Sequence, residues 1–289
     1  MKVAVFGASG TVGRPLLAEL ARTHDVLAVS RTERADKNGV AWKQADATDR
    51  DSVARALDGV DVAYYLVHSL GRHDFEGEDL RAAETTAREA ERAGVKQLVY
   101  LGGLGDDSPE LSAHLRSRRE TGKRLASTSV PVTTLRAAMV VGRGSAAFET
   151  IVALVNRLPA MVTPRWVSTR TQPVALRDVV SYLSGVCGLE AARGVEYDVG
   201  GPEVMTYREM IERIARLRGK RPFIVEVPVL TPHLSSLWLH LVTPVNAGVA
   251  RPLIEGLRNE TVVQDDRIRE LVPIELTPFD AAARLALED

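Results

Sequence analysis

The chain has 289 residues, of which 45% are hydrophobic and 26% are charged, and its formal net charge is −1. This length and composition allow a substantial core, and the balanced charge excludes the basic surplus that is typical of nucleic-acid-binding domains. The single cysteine, Cys187, excludes an internal disulfide framework. With no signal-peptide pattern and no integral membrane segment in the sequence, we expect a cytoplasmic protein.

Short apolar runs alternate with longer helical patterns in the first half of the chain. The apolar runs predict strands at residues 3–6, 26–29, 40–42, 60–67, 97–101 and 132–135. Between them, apolar residues at helical spacing predict helices at residues 16–20, 53–57, 75–93 and 111–126. This alternation indicates βαβ units, and therefore a doubly wound parallel sheet of the Rossmann type.

The pattern changes after Gly142, where loops become longer and richer in proline. Helical patterns recur at residues 148–158, 176–187 and 207–217. We predict a dinucleotide-binding domain over residues 1–142 and a smaller mixed α/β region over residues 143–289. The second region would complete the sheet and cover a substrate at the carboxyl edge. The apolar segment 230–245 predicts a pocket cover or a homo-oligomer contact, because it lacks the basic face of a membrane-surface helix.

Three glycines stand between the first predicted strand and the first predicted helix. Gly7 permits a tight turn, Gly10 allows the backbone to approach a phosphate, and Gly13 allows the helix to pack on the strand. The helix N-terminus presents unpaired N–H groups and a positive dipole end to an anion. The predicted pyrophosphate-binding residues are Gly7, Ser9, Gly10, Thr11, Val12 and Gly13.

The end of the second predicted strand carries an arginine, Arg31, and no acidic residue. NAD sites usually place a carboxylate there to accept from the ribose hydroxyls, whereas a guanidinium fits the 2′-phosphate of NADP. The sequence therefore favours NADP(H) over NAD(H), with Arg31 on the 2′-phosphate. A solvated loop arginine is the alternative, since Arg34 and Lys37 follow nearby, and Arg14 is a second candidate for the same phosphate.

Further short motifs follow the later strands in a recognisable order. They are Ala45-Asp46-Ala47, Tyr65-Leu66-Val67-His68-Ser69, Tyr100-Leu101-Gly102-Gly103 and Leu135-Arg136-Ala137-Ala138-Met139-Val140-Val141-Gly142. Together with the glycine loop they resemble the atypical short-chain dehydrogenase/reductases, specifically the NAD(P)H-binding, NmrA-like branch. The resemblance covers most of the chain.

The resemblance implies positions along the cofactor for several residues. Asp46 would accept from the adenine amino group, with Ala47 beside it. The residues that follow the fourth strand would line the central riboses, and those after the sixth would lie along the nicotinamide. The implied cofactor-binding residues beyond the glycine loop and Arg31 are Asp46, Ala47, Leu66, Val67, His68, Gly102 and Ala138.

The usual catalytic groups of this superfamily are replaced. Its reductases protonate the product with a Tyr-x-x-x-Lys pair and a nearby serine, but none of the six tyrosines here is followed by lysine four positions later. Alignment with the family puts His114 at the tyrosine position, Arg118 at the lysine position and Gly103 at the serine position. Either His114 donates the proton and Arg118 anchors the nicotinamide ribose, or both belong to a solvated basic helix face.

These features predict an NADP(H)-dependent oxidoreductase that reduces a small hydrophobic or aromatic carbonyl, enone or quinone. A non-catalytic NAD(P)H-binding regulator or redox sensor, and an accessory subunit of a larger assembly, are the alternatives. No metal is expected, because the spacing of His68 and His73 fits no ligand pattern. The expected partner is a small hydrophobic substrate, with a homo-oligomer possible and no nucleic acid.

Overall fold

The computed structural model describes residues 1–36, 39–68, 75–105, 111–157, 160–163, 165–226 and 255–288. The strands are β1 (Lys2–Phe6), β2 (Asp25–Ser30), β3 (Ala41–Gln44), β4 (Val62–Tyr65), β5 (Gln97–Gly103), β6 (Val132–Ala137), β7 (Val140–Val141), β8 (Ala160–Thr163), β9 (Arg170–Thr171), β10 (Val174–Ala175), β11 (Glu196–Val199), β12 (Met205–Thr206) and β13 (Phe223–Glu226). The helices are α1 (Gly13–Leu20), α2 (Arg50–Leu57), α3 (Phe75–Arg92), α4 (Ala113–Leu125), α5 (Ala146–Arg157), α6 (Leu176–Gly185), α7 (Tyr207–Leu217), α8 (Arg267–Leu271) and α9 (Phe279–Leu287). The apolar segment 230–245, Ser69 and His73 lie outside the described residues.

Seven parallel strands form the central sheet in the order β11-β6-β5-β4-β1-β2-β3. At the carboxyl end of β1, Phe6 lies opposite Val29 of β2 and Tyr65 of β4. The chain runs from β1 to β3 at one edge and then returns to β4 on the other side of β1, so the strand order reverses there. Ligands of such sheets bind at this reversal point. The predicted doubly wound Rossmann fold is confirmed.

Helices cover both faces of the sheet, and this explains the sequence of β1. Val3 and Val5 pack in the core with α1 and α6, whereas Ala4 and Phe6 pack in the core with α2, α3 and α4. All four side chains are almost completely buried. The strand is therefore apolar at every position instead of at alternate positions.

Residues after Gly142 contribute to both parts of the fold. β11 and α6 belong to the main sheet and its cover. Helices α5, α7 and α9 form a separate core with three small sheets, in which β7–β10 and β8–β13 are parallel and β9–β12 is antiparallel. The predicted smaller mixed α/β region is present. Nowhere in the described part of the chain does a helix have the length and apolarity that crossing a membrane requires.

Asp178, in the first turn of α6, fixes the segment that precedes α9. It is buried, and its carboxylate accepts hydrogen bonds from Thr277 N at 2.7 Å and Thr277 Oγ1 at 2.8 Å. Asp178→Ala leaves two buried donors without an acceptor, so we expect the free energy of unfolding to fall by about 1–3 kcal/mol in chemical denaturation. The exposed neighbour provides the control: the Arg177 guanidinium lies 3.6 Å from the same carboxylate, and because an ion pair with an exposed guanidinium contributes little, Arg177→Ala should change this free energy by less than about 1 kcal/mol. Equal losses in both variants would show that Thr277 is not held through Asp178.

Candidate cofactor and substrate site

The glycine loop connects β1 to α1 at the carboxyl edge of the sheet. Gly7 has a φ of 82°, and a Cβ there would lie 2.7 Å from the Leu66 carbonyl oxygen. A Cβ at Gly13 would lie 2.4 Å from the Gly7 carbonyl oxygen, so neither position accepts a side chain without a shift of the backbone. Helix α1 follows Val12 with no side-chain cap and no acidic residue in its first turn. The Arg14 N–H is bonded to the Gly10 carbonyl oxygen and Pro15 has no N–H, so the N–H groups just before them and the positive end of the helix dipole are suited to an external anion.

A cavity of about 200 Å³, the cofactor cavity, opens beside this loop at the reversal point of the sheet. Its wall brings together residues from the glycine loop, from the end of β2, and from the segments after β3 and β4. The predicted cofactor-binding residues that line it are Gly7, Ser9, Gly10, Arg31, Asp46, Ala47, Leu66, Val67 and His68. Thr11, Val12 and Gly13 are not part of its wall, and the Thr11 hydroxyl donates to the Gly144 carbonyl oxygen at 2.8 Å.

Local hydrogen bonds fix several side chains around the cofactor cavity. Asp46 Oδ1 accepts from Thr48 N at 2.9 Å and from Thr48 Oγ1 at 2.7 Å, which orients the carboxylate. Arg14 Nε donates to the Ser9 carbonyl oxygen at 2.8 Å, so this guanidinium is bound to the glycine loop itself. Arg31 is exposed and lines the cavity where an NAD site usually carries a carboxylate.

A second cavity of about 280 Å³, the apolar cavity, lies beyond the carboxyl ends of β5 and β6. The predicted residues Gly102, His114, Arg118 and Ala138 line it. His68 lines both cavities and marks their junction. The sequence analysis did not identify the groups that the C-terminal region contributes, which include Ser145, Tyr207, Leu257 and Thr261.

Two histidines meet at this junction in a buried polar cluster. His68 Nδ1 lies 2.8 Å from Asp79 Oδ2, and the Asp79 side chain is only 2% exposed. The ring centroids of His68 and His114 are 5.2 Å apart. Within the described ranges, neither His68 Nε2 nor His114 Nδ1 has a hydrogen-bond partner, although both atoms are buried. Buried polar atoms without a partner are rare in proteins, and a ligand or an ordered water is what satisfies them.

The surroundings of the two imidazoles differ. Burial, followed by the positive charges of His68 and Arg118, lowers the pKa of His114 to about 3. Burial also lowers the pKa of His68, but the hydrogen bond to Asp79 opposes this effect. His114 is therefore neutral near pH 7, which argues against its predicted role as a proton-donating imidazolium. It lines the cavity and is not part of a solvated basic face.

Arg118 is held against the end of β5. Its guanidinium donates to the Leu101 carbonyl oxygen and lies 5.3 Å from the centre of the Tyr100 ring. At the position of the family's serine, a Cβ on Gly103 would lie 2.8 Å from Leu115 Cδ2, so Leu115 occupies that space. In the part of the chain that the structure describes, no three His, Cys, Asp or Glu side chains gather into a potential metal site.

Comparison with known proteins identifies the family of the glycine loop and of the strands that surround the two cavities. The model of the NAD(P)H-binding family matches residues 7–151, which include the whole glycine loop and β2 to β6. The chain belongs to this family. The resemblance to the atypical short-chain dehydrogenase/reductases that the sequence showed is confirmed.

The individual proteins to which the chain is similar are only distantly related to it in sequence. The chain is 29% identical to the (4-alkanoyl-5-oxo-2,5-dihydrofuran-3-yl)methyl phosphate reductase of Streptomyces griseus, over 75% of this chain and 74% of that protein. It is 24% identical to the mitochondrial NADH dehydrogenase [ubiquinone] 1 alpha subcomplex subunit 9 of Arabidopsis thaliana, over 95% of this chain and 75% of that protein. The triphenylmethane reductase of Citrobacter sp., solved with NADP(H), shares the fold at a TM-score of 0.78 and 21% identity, over 99% of this chain and all of that one.

Proposed function

We propose that this chain is an NADP(H)-dependent reductase of small hydrophobic or aromatic carbonyl compounds, enones or quinones. The observation that carries the proposal is the position of His68, which lines both the cofactor cavity and the apolar cavity. A dinucleotide in the first cavity would thus end beside a hydrophobic ligand in the second. Two of the similar proteins are named as reductases, which supports reduction as the type of reaction.

The residues of the cofactor cavity fit a phosphorylated dinucleotide. The uncapped start of α1 and the glycine loop would hold the pyrophosphate, because unpaired N–H groups and the helix dipole favour an anion. Arg31 would bind the 2′-phosphate, and Asp46 and Ala47 would contact the adenine. Leu66 and Val67 would line the riboses. When bound, the nicotinamide supplies a hydride from its C4 atom.

At the reacting end, Gly102 and Ala138 would flank the nicotinamide, and Arg118 would anchor its ribose. The apolar cavity has walls rich in aliphatic side chains, including Leu104, Met139 and Leu257. Such walls select hydrophobic substrates and keep water from the reacting carbonyl. His114, being neutral, would contact the substrate through a hydrogen bond rather than as an imidazolium.

Replacement of His114 tests this site. With NADPH and a panel of small quinones and enones, His114→Ala should lower kcat/KM about tenfold, the effect of one lost hydrogen bond. The NADPH dissociation constant should stay unchanged, because His114 is proposed to contact the substrate and not the cofactor. His24→Ala, a substitution before β2 at the opposite edge of the sheet, is the matched control. A wild-type protein that binds NADPH but reduces no member of the panel would contradict the reductase assignment.

A second candidate function is NAD(P)H-dependent regulation without turnover. It is favoured by the loss of the usual proton donors, since Gly103 replaces the serine and the neutral His114 replaces the tyrosine. One similar protein is named as a subunit of NADH dehydrogenase, which is compatible with an accessory role. Calorimetry that shows NADPH binding, together with no turnover on the panel, would favour this candidate.

A further inference from the structure

We propose that His68, positioned by the buried carboxylate of Asp79, is the residue that exchanges a proton with the substrate oxygen. This inference rests on the proposed reductase function and deepens it, because it assigns the proton transfer that the missing Tyr-Lys pair leaves open. The substrate it implies is one that presents a carbonyl or enolate oxygen at the junction of the two cavities.

The geometry of the pair sets the roles of the two ring nitrogens. Nδ1 of His68 donates to Asp79 Oδ2 at 2.8 Å when it carries the proton, which leaves Nε2 on the other side of the ring for a ligand. That Nε2 atom is buried and has no partner among the residues described. An acid–base histidine that is oriented by a buried carboxylate and has one free nitrogen is the arrangement that proton transfer requires.

The groups that face His68 favour it over His114 as the proton carrier. Asp79 of α3 forms a hydrogen bond with His68, and Glu78 of the same helix lines the cofactor cavity. The ring centroid of His114 on α4 lies 5.2 Å from that of His68, and the positive charge of Arg118 on the same helix lowers the pKa of both imidazoles. A proton held in this cluster therefore resides on His68, because of the two imidazoles it is His68 that pairs with a carboxylate among the residues the structure describes. Two titratable groups with such different surroundings have separate roles.

The proposed step is balanced. Bound NADPH would supply one hydrogen and two electrons to the carbonyl carbon as a hydride, and would be oxidised to NADP⁺. The π pair of the carbonyl bond moves onto oxygen, where it forms the new O–H bond with the proton from His68 Nε2. The electron pair of the broken N–H bond stays on Nε2, which solvent then protonates again.

This assignment predicts a pH dependence with a definite sign. Reduction requires the His68 imidazolium, so kcat/KM should be highest below the pKa of His68 and fall about tenfold per pH unit above it. Oxidation of the product alcohol by NADP⁺ requires the neutral ring, so its rate should rise with pH through the same midpoint. Burial lowers the pKa of His68, and the carboxylate of Asp79 opposes that effect. Asp79→Asn should therefore move the midpoint about one pH unit or more to lower pH.

Kinetics of the two variants test the roles separately. His68→Gln keeps a polar side chain that cannot carry the proton, so we expect kcat to fall about 100-fold and the pH dependence to disappear. Because His68 also lines the cofactor cavity, kcat is compared at saturating NADPH, which distinguishes proton transfer from cofactor binding. His24→Gln is the matched control and should keep the wild-type kcat and pH profile. Asp79→Asn acts through His68 and should shift the profile without removing it.

The protonation state of His68 gives a readout that does not depend on turnover. Nitrogen NMR of the protein without cofactor should show His68 protonated on Nδ1 and bare on Nε2 above its pKa, and Asp79→Asn should lose this preference. A proton on Nε2 in the wild type would overturn the inference. The inference would also be overturned if the wild type reduces members of the panel and His68→Gln retains the wild-type kcat or pH profile. In that case the proposed reductase function would still stand. A wild type with no turnover would instead remove the proposed function itself.

Discussion

Gly10→Glu should abolish NADPH binding while the fold is retained. Gly10 is exposed, and a Cβ there would lie 3.2 Å from the Gly7 carbonyl oxygen, so a small shift admits a side chain. The new carboxylate would stand beside the N-terminus of α1, where the pyrophosphate is proposed to bind. Like charges placed together at a binding site cost several kcal/mol, so we expect the dissociation constant to rise about 100-fold or more in calorimetry.

A neutral side chain of similar size separates charge from steric effects. Gly10→Gln should weaken NADPH binding by about tenfold at most, because it lacks the repulsion between anions. Thermal unfolding of both variants should match the wild type. NADH should respond to Gly10→Glu as NADPH does, since both contain the pyrophosphate. If the glutamate variant binds NADPH as tightly as the wild type, the pyrophosphate is not held at α1.

The features that the sequence predicted are those that neighbouring residues determine. The strand before the glycine loop is apolar at four successive positions because helices cover both of its faces. Gly13 is required by its close contacts with Gly7 and Ala8, and Gly7 by its φ of 82° in the tight turn. Helix α7 begins at Tyr207, as its pattern predicts, because Thr206 and Glu209 form a capping box.

The remainder depended on residues that are distant in sequence. β11 was not predicted, since its Glu-Tyr-Asp-Val sequence is not an apolar run. Asp198 is buried where Arg136 of β6 pairs with it at 2.6 Å and the Gln264 N–H donates to it at 3.0 Å. The strands β7, β9, β10 and β12 have two residues each, too few for a periodic pattern. Tyr207 and Thr261 reach the apolar cavity only through the packing of the C-terminal region.

The residues around the apolar cavity were equally difficult to predict from the sequence. Sequence pattern placed His114 and Arg118 on one helix face, but it could not choose between a cavity wall and a solvated surface. The structure places both in the cavity wall, whereas Arg116 between them is exposed. It also brings Asp79 to His68 across eleven positions of the chain. A buried carboxylate on an otherwise charged helix gives no signal in the sequence, because its burial is decided by the strand against which the helix packs.

The proposed preference for the phosphorylated cofactor depends on one exposed side chain, Arg31. Arg31→Ala should raise the NADPH dissociation constant about tenfold to 100-fold, because a hydrogen bond between charged groups contributes about 1.5–3 kcal/mol. NADH lacks the 2′-phosphate, so its affinity should remain that of the wild type. Isothermal calorimetry with both cofactors measures the ratio directly.

Arg34→Ala is the matched control, because it removes the same charge three residues further along the chain. The Arg34 guanidinium lies 5.3 Å from the centre of the Trp42 ring, and Arg34 does not line the cofactor cavity. Its loss should change NADPH affinity by less than about threefold, through long-range charge alone, and this change should vanish at high salt. If the two variants weaken NADPH binding equally, the phosphate is selected by a general positive potential and not by a bidentate contact with the Arg31 guanidinium. If the wild type binds NADH more tightly than NADPH, the assignment of Arg31 to the 2′-phosphate is wrong. The family and the fold do not depend on that assignment.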